Sequence, residues 1–234
     1  MNMGVQQSHV KVLPGDPPVE IVLRRSARAR RMTLRVSALD GRISLTRPMR
    51  VSEAEAMRFA SEKAPWIRAQ VARLEPVRRV ALSVAIPVEG VPLAVCSGIP
   101  GVDAAGIRVS TTRPPGPQVA AILKTLARER LAAAVVRHAA ALDLSPGRLT
   151  LRDTRSRWGS CTGRGDLMFS WRLVMAPADV LDYVAAHEVA HLRHMDHSRA
   201  FWATVERTRP DWRDQRDWLR THGPALHAWS FAAD

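Results

Sequence analysis

The distribution of apolar and polar positions divides the chain into a strand-rich first half and a second half that is richer in helices. Between residues 19 and 46, short apolar runs alternate with polar residues at the two-residue period of strands. The Asp40-Gly41 pair between two of these runs is a strong signal for a hairpin turn. Residues 80–112 show short apolar runs separated by glycine-containing turns, which predicts further strands.

Helical spacing first appears between these two strand regions. Ser52 followed by Glu55 forms a capping box, which predicts a helix of roughly 53–73. Pro65 lies inside this segment, so we expect the helix to be kinked or split there. A longer, alanine-rich helix is predicted over about 118–142.

The last third of the chain contains apolar residues at both strand spacing and helix spacing. Residues 149–152 and 167–173 have the composition of strands. Residues 178–194 and 211–220 carry apolar side chains at helical spacing. A strand-rich region followed by mixed strands and helices predicts an α+β fold.

Composition also indicates a domain organisation. Residues 1–18 are polar and contain prolines, which predicts a flexible tail. We expect an N-terminal β-rich module over 19–113 and a second, α+β domain over 118–234. The proline-rich segment 114–117 is the predicted linker between them.

The helix predicted over 178–194 contains an H-E-x-x-H motif, formed by His187, Glu188 and His191. Histidines four residues apart lie one turn apart on the same face of a helix, where both imidazoles can reach one metal ion. Glu188 is placed to take a proton from a water on that metal, whose pKa zinc lowers towards about 7. These residue types at this spacing therefore favour metal-assisted hydrolysis.

A third ligand must come from beyond the helix. His194 lies near the same face, but on a straight helix it is about 10 Å along the axis from His187. The chain must therefore turn, and Ser198 is a good N-cap for a following helix over about 199–208. His197, just before that cap, is the best-placed third ligand.

The alternative third ligand is Asp196, and His194 suits a supporting or surface position better. With His187, His191 and His197 as ligands, the fourth position of a tetrahedral zinc ion stays open, as a catalytic site requires.

Charge adds a possible class of partner. The chain has 35 basic and 22 acidic residues, a net charge of +13. Such an excess of positive charge favours an anionic partner, which could be nucleic acid, a nucleotide or an acidic protein. The arginines are spread along the sequence, however, which is equally consistent with a plain solvated surface. Three candidates for polyanion binding, hereafter the loop arginines, are Arg28, Arg30 and Arg31.

Cysteine content and hydropathy narrow the expected location. Cys96 and Cys161 do not form a C-x-x-C pair, so a disulfide framework is not expected. Residues 1–14 lack the apolar segment of a secretory signal, and no run of about 20 uncharged apolar residues occurs. We therefore expect a cytoplasmic protein that does not interact with membranes.

Four stretches resemble the YgjP-like metallopeptidase domain family, a relative of the SprT-like and WLM zinc peptidases. They are residues 24–36, 66–67, 157–177 and 187–212. The resemblance covers about residues 20–222 and implies a zincin-like catalytic domain that binds zinc. It implies His187, His191 and His197 as the zinc ligands and Glu188 as the general base. One departure is Ser170, where the family often has asparagine.

Residues around the motif are candidates for binding substrate. Arg155 and Arg157 precede the Trp-Gly-Ser-Cys stretch and could hold a substrate anion, although a solvated strand face explains them equally well. Ser160 could present its hydroxyl to substrate. Tyr183 lies one turn before His187 and could lean towards the metal. Cys161 is better explained as a small buried apolar residue, because no base is paired with it in the sequence.

Three functions are compatible with these features. The first is a zinc metallopeptidase that cleaves peptide or protein substrates. The second is a metal-dependent nucleoside triphosphate pyrophosphatase or phosphohydrolase, because the same chemistry attacks phosphorus and arginines can hold phosphates. The family's association with nucleotide pyrophosphatase activity keeps this alternative open. The third is a peptidase that acts on nucleic-acid-bound proteins, as the SprT-like relatives suggest.

Overall fold

The structure is a computed structural model that describes residues 8–37, 41–72 and 76–233. Across these residues it contains thirteen strands and six α-helices, and the predicted α+β class is confirmed. The strands are β1 (Ser8–Leu13), β2 (Val19–Ser26), β3 (Thr33–Val36), β4 (Ile43–Pro48), β5 (Arg78–Arg79), β6 (Ala85–Val88), β7 (Val91–Ser97), β8 (Gly101–Asp103), β9 (Gly106–Val109), β10 (Leu149–Arg152), β11 (Gly159–Cys161), β12 (Leu167–Ser170) and β13 (Trp229–Ser230). The helices are α1 (Glu53–Glu62), α2 (Ala64–Ala72), α3 (Pro115–Leu142), α4 (Ala178–Ala190), α5 (Arg199–Thr208) and α6 (Trp212–His227), with a 3₁₀ helix over Trp171–Met175.

The first compact unit, Met1–Pro76, contains a four-stranded sheet in the order β1-β2-β4-β3. Strands β2 and β4 are parallel, whereas β3 and β4 form the predicted antiparallel hairpin. Asp40 of the predicted turn signal lies outside the described residues. The sheet and the two helices share a core in which Ile21, Leu45 and Ile67 are fully buried.

The helix predicted over 53–73 is split, as Pro65 indicated. Helix α1 begins with Ser52 as its N-cap, whose hydroxyl accepts the N–H of Glu55 at 3.1 Å. It ends at Glu62 with Lys63 as its C-cap, and α2 then begins at Ala64 with the proline in its first turn. Proline is tolerated there because the first N–H groups of a helix have no partner within the helix.

The second unit, Val77–Asp234, has one continuous core. Strands β6, β7, β9 and β8 form a sheet in that order, and the long helix α3 lies in the same core. A second sheet has the order β10-β12-β11, with β10 and β12 parallel and β11 antiparallel to β12. Helix α4 contacts both α3 and the edge strand β11, which places the H-E-x-x-H helix against this small sheet.

The start of the chain differs from the predicted flexible tail over 1–18. Residues 8–13 form β1, which pairs antiparallel with β2 along its length. His9 and Lys11 both contact the carboxylate of Glu53, and Leu13 is buried. Five of the six residues of β1 are exposed, so the strand contributes one buried side chain to the core and carries little of the apolar signal of a core strand.

The predicted linker 114–117 forms the beginning of α3. Proline at the first helical positions is favourable, since its fixed φ suits a helix and its missing N–H costs nothing there. Gly116 allows a close approach, because a Cβ would lie 2.9 Å from the Phe231 carbonyl oxygen. The compact units divide between Pro76 and Val77, whereas the sequence placed the boundary between 113 and 118.

Two helix ends also differ from the predictions. Helix α4 ends at Ala190, four residues before the predicted end at 194, so the chain turns directly after the second histidine. Helix α6 continues through Pro224 to His227 instead of ending near 220. The Arg172 guanidinium donates to the Leu226 carbonyl at 3.0 Å, which anchors this extension to the core.

Membrane spanning can be judged from helix length and polarity. Within the part of the chain that the structure describes, none of the helices combines the length and the apolar character that crossing a bilayer requires.

Candidate metal centre

The local fold around the H-E-x-x-H motif brings three histidines from two segments together. Helix α4 is held in the core by residues such as Val180 and Val184, and its last turn carries His187. His191 is the C-cap residue, and the following turn reverses the chain. Helix α5 then begins with Ser198 as its N-cap, whose hydroxyl accepts the Phe201 N–H at 3.4 Å. This cap places the preceding residue, His197, beside the end of α4.

The imidazole rings of His187, His191 and His197 form a nearly equilateral triangle. Their ring centroids are separated by 4.9, 5.1 and 4.9 Å. One ligand nitrogen from each ring lies within 4.8 Å of the other two. His191 is buried, whereas His197 is exposed, so the group can be reached from solvent.

The orientation of the nitrogens fits a single metal ion. The Nε2 atoms of His187 and His197 are 3.2 Å apart. Two nitrogens at about 2.0–2.1 Å from one tetrahedral ion lie roughly 3.3 Å from each other. A direct hydrogen bond between two imidazoles has a similar length. Such a bond would explain the positions of two rings, but it would not explain why the third ring lies beside them.

A hydrogen bond outside the triangle orients His191. Its Nδ1 lies 2.9 Å from the carbonyl oxygen of His194, so this nitrogen donates and Nε2 is left to bind a metal. His194 therefore contributes through its backbone. The alternative ligand Asp196 accepts the Ser198 N–H at 3.1 Å and does not belong to the histidine group.

Two aromatic side chains of helix α5 pack against the three histidine rings. Phe201 is fully buried, and its ring centroid lies 4.9 Å from His187, 4.5 Å from His191 and 4.9 Å from His197. Trp202 contacts two of the same rings, at 5.6 and 5.9 Å. Burial lowers the pKa of His187 to about 3, with smaller contributions from the other two histidines, so this imidazole stays neutral.

Glu188 is buried next to strand β11. It is 5% exposed, and its Oε2 atom has no hydrogen-bond partner among the described residues. A Cβ added to Gly159 would lie only 2.5 Å from Glu188 Oε1, so the carboxylate occupies space that only glycine leaves free. Burial raises the pKa of Glu188 to about 8, and the positive charge of Arg157 opposes that rise.

A cavity of about 340 Å³ opens beside the triangle and contains both motif residues His187 and Glu188. Its remaining lining residues come from strand β11 and the residue before it, helix α4 and helix α6. They are Trp158, Gly159, Tyr183, Val184, Arg216, Leu219 and Arg220. The α6 residues were not predicted from the sequence, although their spacing of three and four along an amphipathic helix is a signal for a shared face.

The predicted substrate-binding residues are only partly brought together. Tyr183 lines the cavity and contacts the His187 ring at 5.9 Å, and burial raises its pKa to about 12. Arg157 is close enough to influence Glu188, but neither it nor Arg155 or Ser160 lines the cavity.

The cysteine of the Trp-Gly-Ser-Cys stretch is half-buried and free. The Cys161 thiol lies 3.4 Å from the Thr162 carbonyl oxygen, to which it donates. Burial raises the pKa of this thiol, and the neighbouring Glu188 and Asp166 raise it further. A thiol in this state is a poor nucleophile at neutral pH.

One family model matches this chain. The model of the YgjP-like metallopeptidase domain matches residues 111–222, which include all three histidines and Glu188. The crystal structure of the metallopeptidase zymogen abylysin from Pyrococcus abyssi is similar over 39% of this chain and 92% of that chain, with 18% identity and a TM-score of 0.37. A comparison with curated proteins finds no match.

Proposed function

Residues 111–222 belong to the YgjP-like metallopeptidase domain family, and from this premise we propose that the chain is a zinc-dependent peptidase with Glu188 as its general base. The family makes the protein a metallopeptidase, and the three-histidine group supplies a place for the metal. The identity of the metal, the roles of individual residues and the substrate are our proposals.

The observation that carries the proposal is the convergence of three imidazole nitrogens within 4.8 Å beside a cavity. We propose that His187, His191 and His197 hold zinc, because three histidines with an open fourth position are a common catalytic zinc set. A bound zinc ion acts as a Lewis acid that polarises a carbonyl and activates water at neutral pH.

The protein supplies the proton transfers. Glu188 lies in the same cavity as His187. A zinc ion bound by the histidines would favour the ionised form of this buried carboxyl, since a nearby positive charge lowers a carboxyl pKa, and the unpartnered Oε2 could then accept a proton from the attacking water. The same oxygen can then return the proton to the nitrogen of the leaving amine. Glu188 is held in place by its close packing on the Gly159 backbone rather than by a hydrogen bond to that oxygen.

Two of the predicted substrate-binding residues have a suitable position. Tyr183 lines the cavity, so its hydroxyl can donate a hydrogen bond to a substrate oxygen. Arg157 lies near enough to Glu188 to act on its charge, and we propose that it binds the substrate beside the cavity.

Metal analysis followed by two assays tests this function. Purified protein is expected to contain close to one equivalent of zinc, and the zinc-loaded protein is expected to cleave casein. His191→Ala is expected to lose both the zinc and the cleavage, whereas Glu206→Gln, at an exposed glutamate of α5, keeps both. Hydrolysis of nucleoside triphosphates with no cleavage of protein would instead establish the phosphohydrolase alternative.

A further inference from the structure

We propose that the cavity beside Glu188 selects substrates that carry a carboxylate near the scissile bond, and that Arg216 is the residue that binds this group. The carboxylate can belong to an acidic side chain or to the end of a peptide. The inference rests on the proposed peptidase function and names its substrate class.

Arg216 is an oriented cation in the cavity wall. It comes from α6, and its guanidinium carbon lies 5.2 Å from the ring centroid of Trp202 and 5.9 Å from that of Trp212. These two indoles stack on each other with centroids 4.1 Å apart, which makes a rigid platform. A guanidinium that is oriented by aromatic faces loses little further freedom when it binds a planar carboxylate.

The charges around the cavity leave Arg216 available for an anion. In the described part of the chain, no carboxylate forms an ion pair with this arginine, and its contacts are with the two indoles. Its neighbour Arg220 forms an ion pair of 3.3 Å with Asp217, and both side chains are largely exposed. Glu188 is the one acidic residue that lines the cavity, against two arginines.

The cavity is large enough to receive an amino-acid side chain. Its volume of about 340 Å³ is at the lower end of ligand pockets, which range over about 300–1,000 Å³. Trp158, Val184 and Leu219 provide apolar surface for the methylene groups of an acidic residue. The guanidinium then distinguishes a carboxylate from an amide of the same size.

A second role for Arg216 gives a different kinetic result. A cation beside Glu188 could stabilise the negative charge that develops in the transition state, and its loss would then slow cleavage of every peptide equally. A specificity role predicts a loss only for substrates that carry the carboxylate.

Arg213 offers a matched control on the same helix. Its guanidinium carbon lies 4.5 Å from the Trp212 ring centroid, and it forms an ion pair with Glu206, yet it does not line the cavity. Replacing it removes an arginine–indole contact without changing the charge of the cavity.

The test uses zinc-loaded full-length protein and internally quenched peptides built on a mapped casein cleavage site. Three peptides carry Glu, Gln or Lys beside the cleaved bond. Two further peptides compare a free C-terminal carboxylate with a C-terminal amide at that position. We expect kcat/KM to favour the carboxylate peptides by about two- to fivefold, because Arg216 is exposed and an exposed ion pair contributes little. Arg216→Gln is expected to abolish the preference, Arg216→Glu to shift it towards the Lys peptide, and Arg213→Gln to leave it intact.

The outcomes separate this inference from the proposed function. If no peptide or protein is cleaved, the peptidase function fails, and binding of the same peptides, measured by isothermal titration calorimetry, still tests the preference for a carboxylate. Equal kcat/KM values for Glu and Gln peptides, or equal binding where no cleavage occurs, would overturn the inference. An equal loss on all peptides in Arg216→Gln would assign the arginine to the transition state instead.

Discussion

Replacing Gly159 with alanine is expected to disable hydrolysis without removing the metal. The Cβ of alanine would lie 2.5 Å from Oε1, 2.6 Å from Cγ and 2.8 Å from Cδ of Glu188. Ordinary contacts between such atoms are about 3.5–4.0 Å, so the carboxylate must move by roughly 1 Å. A displacement of that size at a reacting group can cost about 10²-fold in rate. We therefore expect kcat for peptide cleavage to fall about 100-fold.

The rest of the centre is expected to survive this substitution. The clash falls on the end of a flexible side chain rather than on backbone, so Glu188 can rotate away at small cost. The three histidines are not among the nearest atoms, and zinc content is expected to remain that of the wild type. Gly163→Ala is the matched control, because a Cβ at this nearby glycine meets nothing within 4 Å.

The assay combines steady-state peptide cleavage, zinc content and thermal unfolding on the two alanine variants and the wild type. Full activity in Gly159→Ala would refute the reasoning, since it would mean that the position of Glu188 does not matter for the reaction. Loss of zinc in that variant would show that the strand supports the metal ligands rather than the base.

Three further predictions concern other parts of the chain. His197→Ala is expected to lose zinc, whereas His194→Ala is expected to keep it because that residue acts through its backbone carbonyl; a zinc titration that shows the reverse order would contradict the ligand set. Charge reversal of the loop arginines is expected to weaken binding to a polyanion such as heparin and to make that binding less dependent on salt concentration. An unchanged slope of affinity against salt concentration would mean that these arginines are solvated surface residues that do not bind the polyanion. Burial opposes the ionisation of Asp182, but its hydrogen bond to His138 and the nearby arginines outweigh this effect and hold its pKa below the usual range. Since a lowered carboxyl pKa stabilises the fold above the pKa of the unfolded chain, near 3.9, Asp182→Asn is expected to lower unfolding stability at neutral pH, and chemical unfolding at a series of pH values should show the deficit shrinking below pH about 4.

The three-histidine group could be anticipated from the sequence because its signals are local. The spacing of His187 and His191 is a property of one helix, and the N-cap at Ser198 marks where the next helix begins. Together they require a turn, and a histidine lies in that turn. The structure brings these residues together as the spacing indicated, although α4 ends four residues earlier than its apolar pattern suggested.

The walls of the cavity could not be anticipated in the same way. Arg216 lies 28 positions after Glu188, and only the packing of α6 beside α4 brings it to the site. Gly159 has no side chain to signal its role, which becomes visible when the space its Cβ would occupy is compared with Glu188. Strand β1 was missed for a related reason, because two of its three apolar residues, Val10 and Val12, are exposed and only Leu13 reaches the core.

The central claim is that Glu188 acts as the base of a zinc peptidase, and one measurement tests it most directly. Zinc-loaded wild type and Glu188→Gln, with equal zinc content, are compared for the rate of cleavage of one peptide bond identified by mass spectrometry. General base catalysis contributes about 10²–10⁴-fold, so the variant is expected to retain zinc and fold while losing a factor of about 10² or more in kcat. Equal cleavage by the two proteins would contradict the account.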